Sequence, residues 1–282
     1  MSILDEIVRS TKKRVERDKK ASLQPRIAPN SEFPNFPFEH ALRRPGFHFI
    51  CEIKKASPSR GVITEDFPYL DIAREYEQAG AAAISVLTEP EYFHGSDRYL
   101  AEIRDVVNTP LLRKDFVVDL FQIEQAASLG ADAVLLICAI LSSSELSECI
   151  KAADKYGLSC LVEAHDEDEV KKALRVGARV VGVNNRDLNT FAVDTGNSIR
   201  LRKLVPSDVV FVSESGVNTA RDVGLLKEND INVVLIGEKL MRSPDKKAAL
   251  GELMGGTGHG VSETYRYSSL RGACDAAIQT ET

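Results

Sequence analysis

Residues 128–137 read S-L-G-A-D-A-V-L-L-I, and the phrase recurs along the chain. It stands as Q-A-G-A-A-A-I-S-V-L at 78–87, K-Y-G-L-S-C-L-V-E at 155–163 and R-V-G-A-R-V-V-G-V-N at 175–184. Each time a helical pattern ends on a glycine and a short apolar run follows. Gly80, Gly130, Gly157 and Gly177 fit the left-handed position just past a helix end, where a Cβ would be strained. The runs behind them are too short for helices and rich in Val, Ile and Leu. They are apolar on both faces, as strands of a helix-covered parallel sheet must be.

Working outward, runs with weaker punctuation bring the expected strands to eight: 48–54, 82–87, 110–114, 132–137, 159–163, 179–184, 208–213 and 232–236. Helical patterns fall near 68–79, 97–107, 119–129, 143–156, 167–176, 195–204, 218–229 and 244–253, with Asp97, Ser142, Asp166 and Asn218 as expected N-caps. Repeated βα units of this spacing predict an α/β fold, a (βα)8 TIM barrel. An open doubly wound sheet is the alternative, but no G-x-G-x-x-G follows a strand to support it. The expected organisation is an N-terminal helical extension at 1–47, a barrel at 48–254 and a flexible tail at 255–282. In the extension a helix should run through about Val15. Pro25, Pro29, Pro34 and Pro37 then force an irregular path to a short helix near 38–44.

The chain has 282 residues, 43% of them hydrophobic, and a net charge of −6. That is enough for a sizeable core, and the negative charge argues against nucleic-acid binding driven by counterion release. No run approaches the roughly 18 apolar residues of a membrane span, and the charged N-terminus lacks the apolar centre of a secretory signal. Cys51, Cys138, Cys149, Cys160 and Cys274 form no C-x-x-C pair, and His40, His48, His94, His165 and His259 show no ligand spacing. Reduced core thiols, no metal, no membrane and a cytoplasmic location are therefore expected.

In such a barrel the C-terminal strand ends face the active site. Here the first strand ends in Glu52 and Lys54, two apart and so on one face. The third ends in Arg113-Lys114-Asp115, the fifth in Glu163, the sixth in Asn184-Asn185-Arg186, the seventh in Ser213-Glu214-Ser215-Gly216 and the eighth in Gly237-Glu238. Any one of these could be a solvated loop charge or a salt bridge tying barrel ends together. A ring of Glu52, Lys54, Lys114 and Glu163 is different, because its desolvation is unfavourable unless the members pair or bind a ligand. Ser215-Gly216 and Gly237 can expose backbone N–H groups at short helix N-termini, a common phosphate seat, with Arg186 adding a charge-assisted contact.

Seven ordered segments carry a resemblance: E-I-K-K-A-S-P-S-R-G (52–61), S-V-L-T-E-P-E-Y-F-H-G-S (85–96), L-L-R-K-D-F (111–116), L-V-E-A-H (161–165), V-G-V-N-N-R-D-L (181–188), V-S-E-S-G-V (212–217) and L-I-G-E-K-L-M (235–241). Over about residues 1–254 the chain resembles the indole-3-glycerol phosphate synthase family of tryptophan biosynthesis. The charged N-terminal helix looks like that family's extra segment beside the barrel mouth. The resemblance implies a cofactor-free, decarboxylating and dehydrating ring closure on a phosphorylated small-molecule substrate. It makes Lys114 the donor to the substrate carbonyl, Lys54 the cation for the ring carboxylate and Glu163 the late acid–base group. Glu52 and Asn184 orient neighbours and substrate. How acid and base roles divide among Lys54, Lys114 and Glu163 stays open.

Ser215, Gly216, Gly237 and Arg186 would take the phosphate and polar chain, Ser57 a substrate contact, and Phe93 the anthranilate ring. Phe93 could equally be a rim residue. Glu238 stands where some relatives carry Ser, so its side chain must turn away or meet a cation. His94 receives no role. K-A-S-P-S-R-G (55–61), with Pro58 and Gly61, is a candidate lid. The chain length leads us to expect a monofunctional form, as a monomer or weak homodimer. Rival expectations are phosphoribosylanthranilate isomerase, a Schiff-base aldolase using Lys114 or Lys54, and a catalytically silent scaffold.

Overall fold

A computed structural model describes residues 2–21, 35–187 and 190–255. Pro25, Pro29, Pro34, Cys274, His259 and the expected tail beyond Gly255 lie outside the described residues. Two helices, α1 (Ile3–Lys20) and α2 (Pro37–Leu42), precede β1 (His48–Ile53). A small hairpin follows, β2 (Ala56–Ser57) and β3 (Gly61–Val62). Strand and helix then alternate: α3 (Tyr69–Gln78), β4 (Ala83–Leu87), α4 (Asp97–Arg104), β5 (Leu111–Lys114), α5 (Phe121–Ser128), β6 (Ala133–Ile137) and α6 (Ser143–Lys155). The chain continues through β7 (Ser159–Ala164), α7 (Glu167–Arg175), β8 (Val180–Asn184), α8 (Gly196–Arg202), β9 (Val210–Glu214), α9 (Ala220–Lys227), β10 (Val233–Ile236), α10 (Glu238–Arg242) and α11 (Lys246–Leu253).

Eight of these strands close a parallel barrel in the order β1-β10-β9-β8-β7-β6-β5-β4. Closure is made by β1, which pairs with β10 (His48↔Val233) and with β4 (Ile50↔Ala83). The open sheet is thereby excluded. The four glycines of the repeated phrase all have φ between +69° and +85°. Alternating strand residues divide the core in two. Inside the barrel lie Ile50, Leu112, Leu135, Leu161, Val212 and Leu235, and Phe38 and Leu42 of α2 pack on that layer. Outside it, Ile53, Val86, Val134, Val162, Val181 and Val234 meet the surrounding helices. Among the described residues no helix is long and apolar enough to cross a membrane.

Three local expectations are corrected. Helix α1 runs past Val15 to Lys20. Its last buried residue is Val15, so the apolar pattern stops there. Beyond it, basic Arg17, Lys19 and Lys20 suit the helix dipole, and Lys19 reaches Asp119 at 2.7 Å. The cap of α4 is Ser96, not Asp97, whose carboxylate is taken by Arg113 at 2.8 Å. The cap of α9 is Thr219, in a capping box with Asp222; Asn218 turns back onto the Gly216 carbonyl. Ser142 and Asp166 cap α6 and α7.

Candidate active site

At the C-terminal ends of the strands opens a cavity of about 1000 Å³. Glu52, Lys54, Ser57, Phe93, Lys114, Glu163, Asn184, Arg186, Ser215, Gly216, Gly237 and Glu238 all line it. The alternation of the strands explains the arrangement: Lys114 ends β5, Glu163 lies near the end of β7, and Glu214 ends β9, each with its side chain inward.

The floor is a shared charge cluster. Lys114 Nζ lies 3.4 Å from Glu163 Oε2 and 3.7 Å from Glu214 Oε2. Lys54 pairs with Glu52 beside them. Burial disfavours the Lys114 ammonium, but Glu163, Glu214 and Glu52 outweigh it and raise its pKa, so it stays charged. Burial pushes Glu163 up, but Lys114 and then His165 hold it well below the usual carboxylate range. Glu214 shifts the other way, driven up by burial and by the charge of Glu163. Two buried carboxylates beside each other cannot both ionise cheaply, and Lys114 sits closer to Glu163. Glu214 Oε1 is buried without a hydrogen-bond partner.

Arg113 and Asp115 flank Lys114, and although Asp115 borders the cavity, both serve a different end. Their side chains point away from the floor into a buried network. Arg113, 1% exposed, donates to Asp97, Gln125 and the Gln122 carbonyl. Asp115 accepts both a bidentate contact from Arg14 of α1, at 2.7 and 2.8 Å, and a bond from Thr88. The N-terminal helix is thus clamped to the strand that presents Lys114, and its Ile3, Leu4 and Ile7 line the cavity.

The side wall is apolar. Phe93 faces Phe116 with ring centroids 6.0 Å apart, near Leu135 and Ile137. The loop carrying Phe93 is held by Glu89, 1% exposed, which accepts the backbone N–H groups of Glu91, Tyr92 and Phe93.

The opposite end is small and basic. Ser215 and Gly216 both have positive φ, +68° and +91°. For a serine that conformation costs about 1–3 kcal/mol, so its surroundings must enforce it. They do: Asn184 Oδ1 accepts the Ser215 hydroxyl, and Asn185 Nδ2 donates to the Ser215 carbonyl. A Cβ on Gly216 would press on Val193 and Thr195, and one on Gly237 would lie 2.6 Å from Glu52 Oε1. Gly216 is constrained both by its φ and by space, and a side chain at Gly237 would push Glu52 aside. Only Gly237 opens a short helix; Ser215-Gly216 leads through a turn toward Thr219. Arg186 donates to the Phe191 carbonyl at 3.1 Å. Glu238 meets two cations, Arg60 at 3.4 Å and Arg242 at 3.3 Å. The candidate lid is folded as the β2–β3 hairpin, so Arg60 reaches across the mouth from it.

Sequence reasoning left out Glu214 and Asn185 as site residues, although both stood in quoted motifs. Their signal was position: Glu214 is the inward residue ending its strand. Among the described residues no group of His, Cys, Asp or Glu is arranged to hold a metal ion.

Comparison with known proteins agrees with this geometry. The family model described as indole-3-glycerol phosphate synthase matches residues 4–253. The chain is 58% identical over 257 residues to the indole-3-glycerol phosphate synthase of Ruminiclostridium cellulolyticum, covering 90% of this chain and 99% of that one. It is 54% identical to the protein of the same name from Endomicrobium trichonymphae, over 89% and 99%. Among solved structures, KGPDC from Streptococcus mutans matches with a TM-score of 0.59 at 11% identity, over 74% of this chain and 96% of that one. A 3-hexulose-6-phosphate synthase matches with a TM-score of 0.58 at 16% identity, over 74% and 98%. At such identities these structures share the fold alone.

Proposed function

This chain belongs to the indole-3-glycerol phosphate synthase family, and on that premise we propose how its cavity closes an indole ring. The reaction converts 1-(2-carboxyphenylamino)-1-deoxyribulose 5-phosphate to indole-3-glycerol phosphate, CO2 and water. The observation that carries the reading is the buried, charged Lys114 between Glu163 and Glu214, with an apolar slot on one side and a small, basic pocket on the other.

The anthranilate ring lies in the slot beside Phe93 and Phe116. The phosphate lies at Ser215, Gly216, Gly237 and the Glu238 backbone, with Arg186 and Ser57 on the polar chain. Lys114 donates its proton to the substrate carbonyl as the ring carbon attacks, and the charges of Glu163 and Glu52 keep it protonated for that step. Lys54, steadied by Glu52, holds the ring carboxylate until it departs as CO2. Glu214, held uncharged, can protonate the departing hydroxyl. Glu163, held ionised, can take the proton whose loss restores aromaticity, with Asn184 lining the cavity beside it. A Schiff-base lysine would need a depressed pKa, and that of Lys114 is raised, which disfavours the aldolase reading.

Buried free thiols at Cys51, Cys138, Cys149 and Cys160 support a reducing, cytoplasmic setting. We take the enzyme to act as a monomer or weak homodimer. The test is to mix purified chain with the substrate and follow indole fluorescence. Rapid growth of signal that Lys114→Ala abolishes supports the reading; a folded protein giving no signal overturns it.

A further inference from the structure

His165 follows β7 directly and sits behind Glu163, away from the cavity's lining. Its backbone N–H donates to Glu169 Oε2 at 2.8 Å, and its ring Nδ1 meets the same oxygen at 3.1 Å. A carboxylate only accepts, so Nδ1 carries a hydrogen. On the other side Nε2 faces Glu163 Oε1 at 3.4 Å, close but short of an aligned hydrogen bond, and it is buried with no other partner. The other oxygen of Glu163, Oε2, faces Lys114. Glu163 is thus held between two nitrogens, one in the cavity and one behind it.

The groups packed around the imidazole are few. From β7 comes Glu163, and from α7 and its cap come Glu169 and Asp166. Cys138, after β6, bonds the Glu169 carbonyl, and Lys172 bonds the Cys138 carbonyl at 2.9 Å. From α8 Asn197 donates to the His165 carbonyl at 2.9 Å, and Asn184 of β8 also holds the Glu163 pKa down from the cavity side. Two carboxylates touch the ring itself, while Lys114 faces Glu163 Oε2 and Lys172 bonds the Cys138 and Leu141 carbonyls.

We propose that His165 is a positioning residue: an imidazolium anchored by Glu169 that fixes Glu163 Oε1, turns Oε2 toward the reacting atoms and keeps that carboxylate ionised. This rests on the acid–base role of Glu163 given under the proposed function. Burial favours the neutral ring, but Glu163 and Glu169 outweigh it and push the imidazole up to about 10. The anchoring explains why a histidine stands at the strand end without touching the cavity. The backbone N–H holds Glu169 Oε2 in place and Nδ1 meets that same oxygen, so the ring cannot turn from Glu163 without losing its Nδ1 contact.

The variant His165→Asn keeps an amide near the Nδ1 position and loses the contact to Glu163; His165→Gln restores an uncharged donor toward it. For His165→Asn, kcat should fall about 10–100-fold, with KM within about threefold of wild type. Removing the cation raises the Glu163 pKa toward the ordinary carboxylate range, so on the acidic side kcat should fall off at higher pH than in wild type. His165→Gln should recover part of kcat but not the shifted limb. Independently of turnover, 15N-histidine resonances of the full chain at about pH 8 should show both His165 nitrogens protonated. A neutral ring there overturns the proposal. So does a folded His165→Asn with wild-type kcat, or one whose kcat falls with an unmoved acidic limb. If the wild type turns over and Glu163→Gln does not, such a result sinks this inference alone. No turnover in the wild type sinks the proposed function instead, and the resonances still decide the state of His165.

Discussion

At the N-terminal end of the barrel, Glu39 of α2 accepts Arg43 on Oε1 at 3.0 Å and Arg179 on Oε2 at 2.9 Å. Arg179 turns its other amine to Asp154, and Phe38 lies fully buried beneath. At the opposite end, Glu52, Glu163 and Glu214 share the ammonium groups of Lys54 and Lys114, and Glu214 Oε1 has no partner. Both ends bury carboxylates under a helix or loop. One end pairs both oxygens of Glu39 and stabilises the fold. The other leaves an acceptor without a partner at the floor of an open cavity, the pattern expected where a polar ligand is bound.

The largest break in this contrast should come from Lys114→Ala. We expect kcat to fall ~10⁴-fold, with thermal unfolding little changed; assay and melting curve on one preparation check both. Phe38→Ala should do the reverse, lowering stability by about 3–5 kcal/mol through the cavity it leaves while kcat per folded molecule holds. Denaturant titration measures that loss, and a large drop in kcat would show that the two ends are not independent. Arg186→Ala should raise KM about 10–100-fold through a charge-assisted phosphate contact worth about 1.5–3 kcal/mol, with a smaller change in kcat.

The smallest effect sharpens the comparison by pH. The raised pKa of Glu214 means its contribution to stability is full below its unfolded value and is lost as pH rises through the folded one. Glu214→Gln removes that loss. Its Tm should exceed wild type by about 2–4 °C at the alkaline end and converge at about pH 4, while activity falls. A Tm difference that grows on acidification instead would show Glu214 to be ionised in the fold.

How much of this was legible depends on distance along the chain. Strand positions could be read because each glycine-to-apolar phrase is local, and strand boundaries moved by only a residue or two. The caps at Asp97 and Asn218 were misread because a better use existed elsewhere: Arg113 claims Asp97 from the next strand, and Gly216 draws Asn218 back. The inward placement of Lys114 followed from the strand end, but not the role of its neighbours. Arg113 and Asp115 looked equally available. Only the docking of Arg14 from α1 shows that they brace the strand from outside.

The sequence by itself determined the βα units, the glycines at the helix ends and the ring of polar strand ends, because these depend on backbone sterics and periodicity over a few residues. Tertiary structure alone decided which charges meet. Closure of β1 between β10 and β4 sets Glu52 against Gly237, and the packing of β5, β7 and β9 around one axis brings Glu163 and Glu214 to Lys114. Their protonation follows from that convergence, since burial and nearby charge act through space and not along the chain.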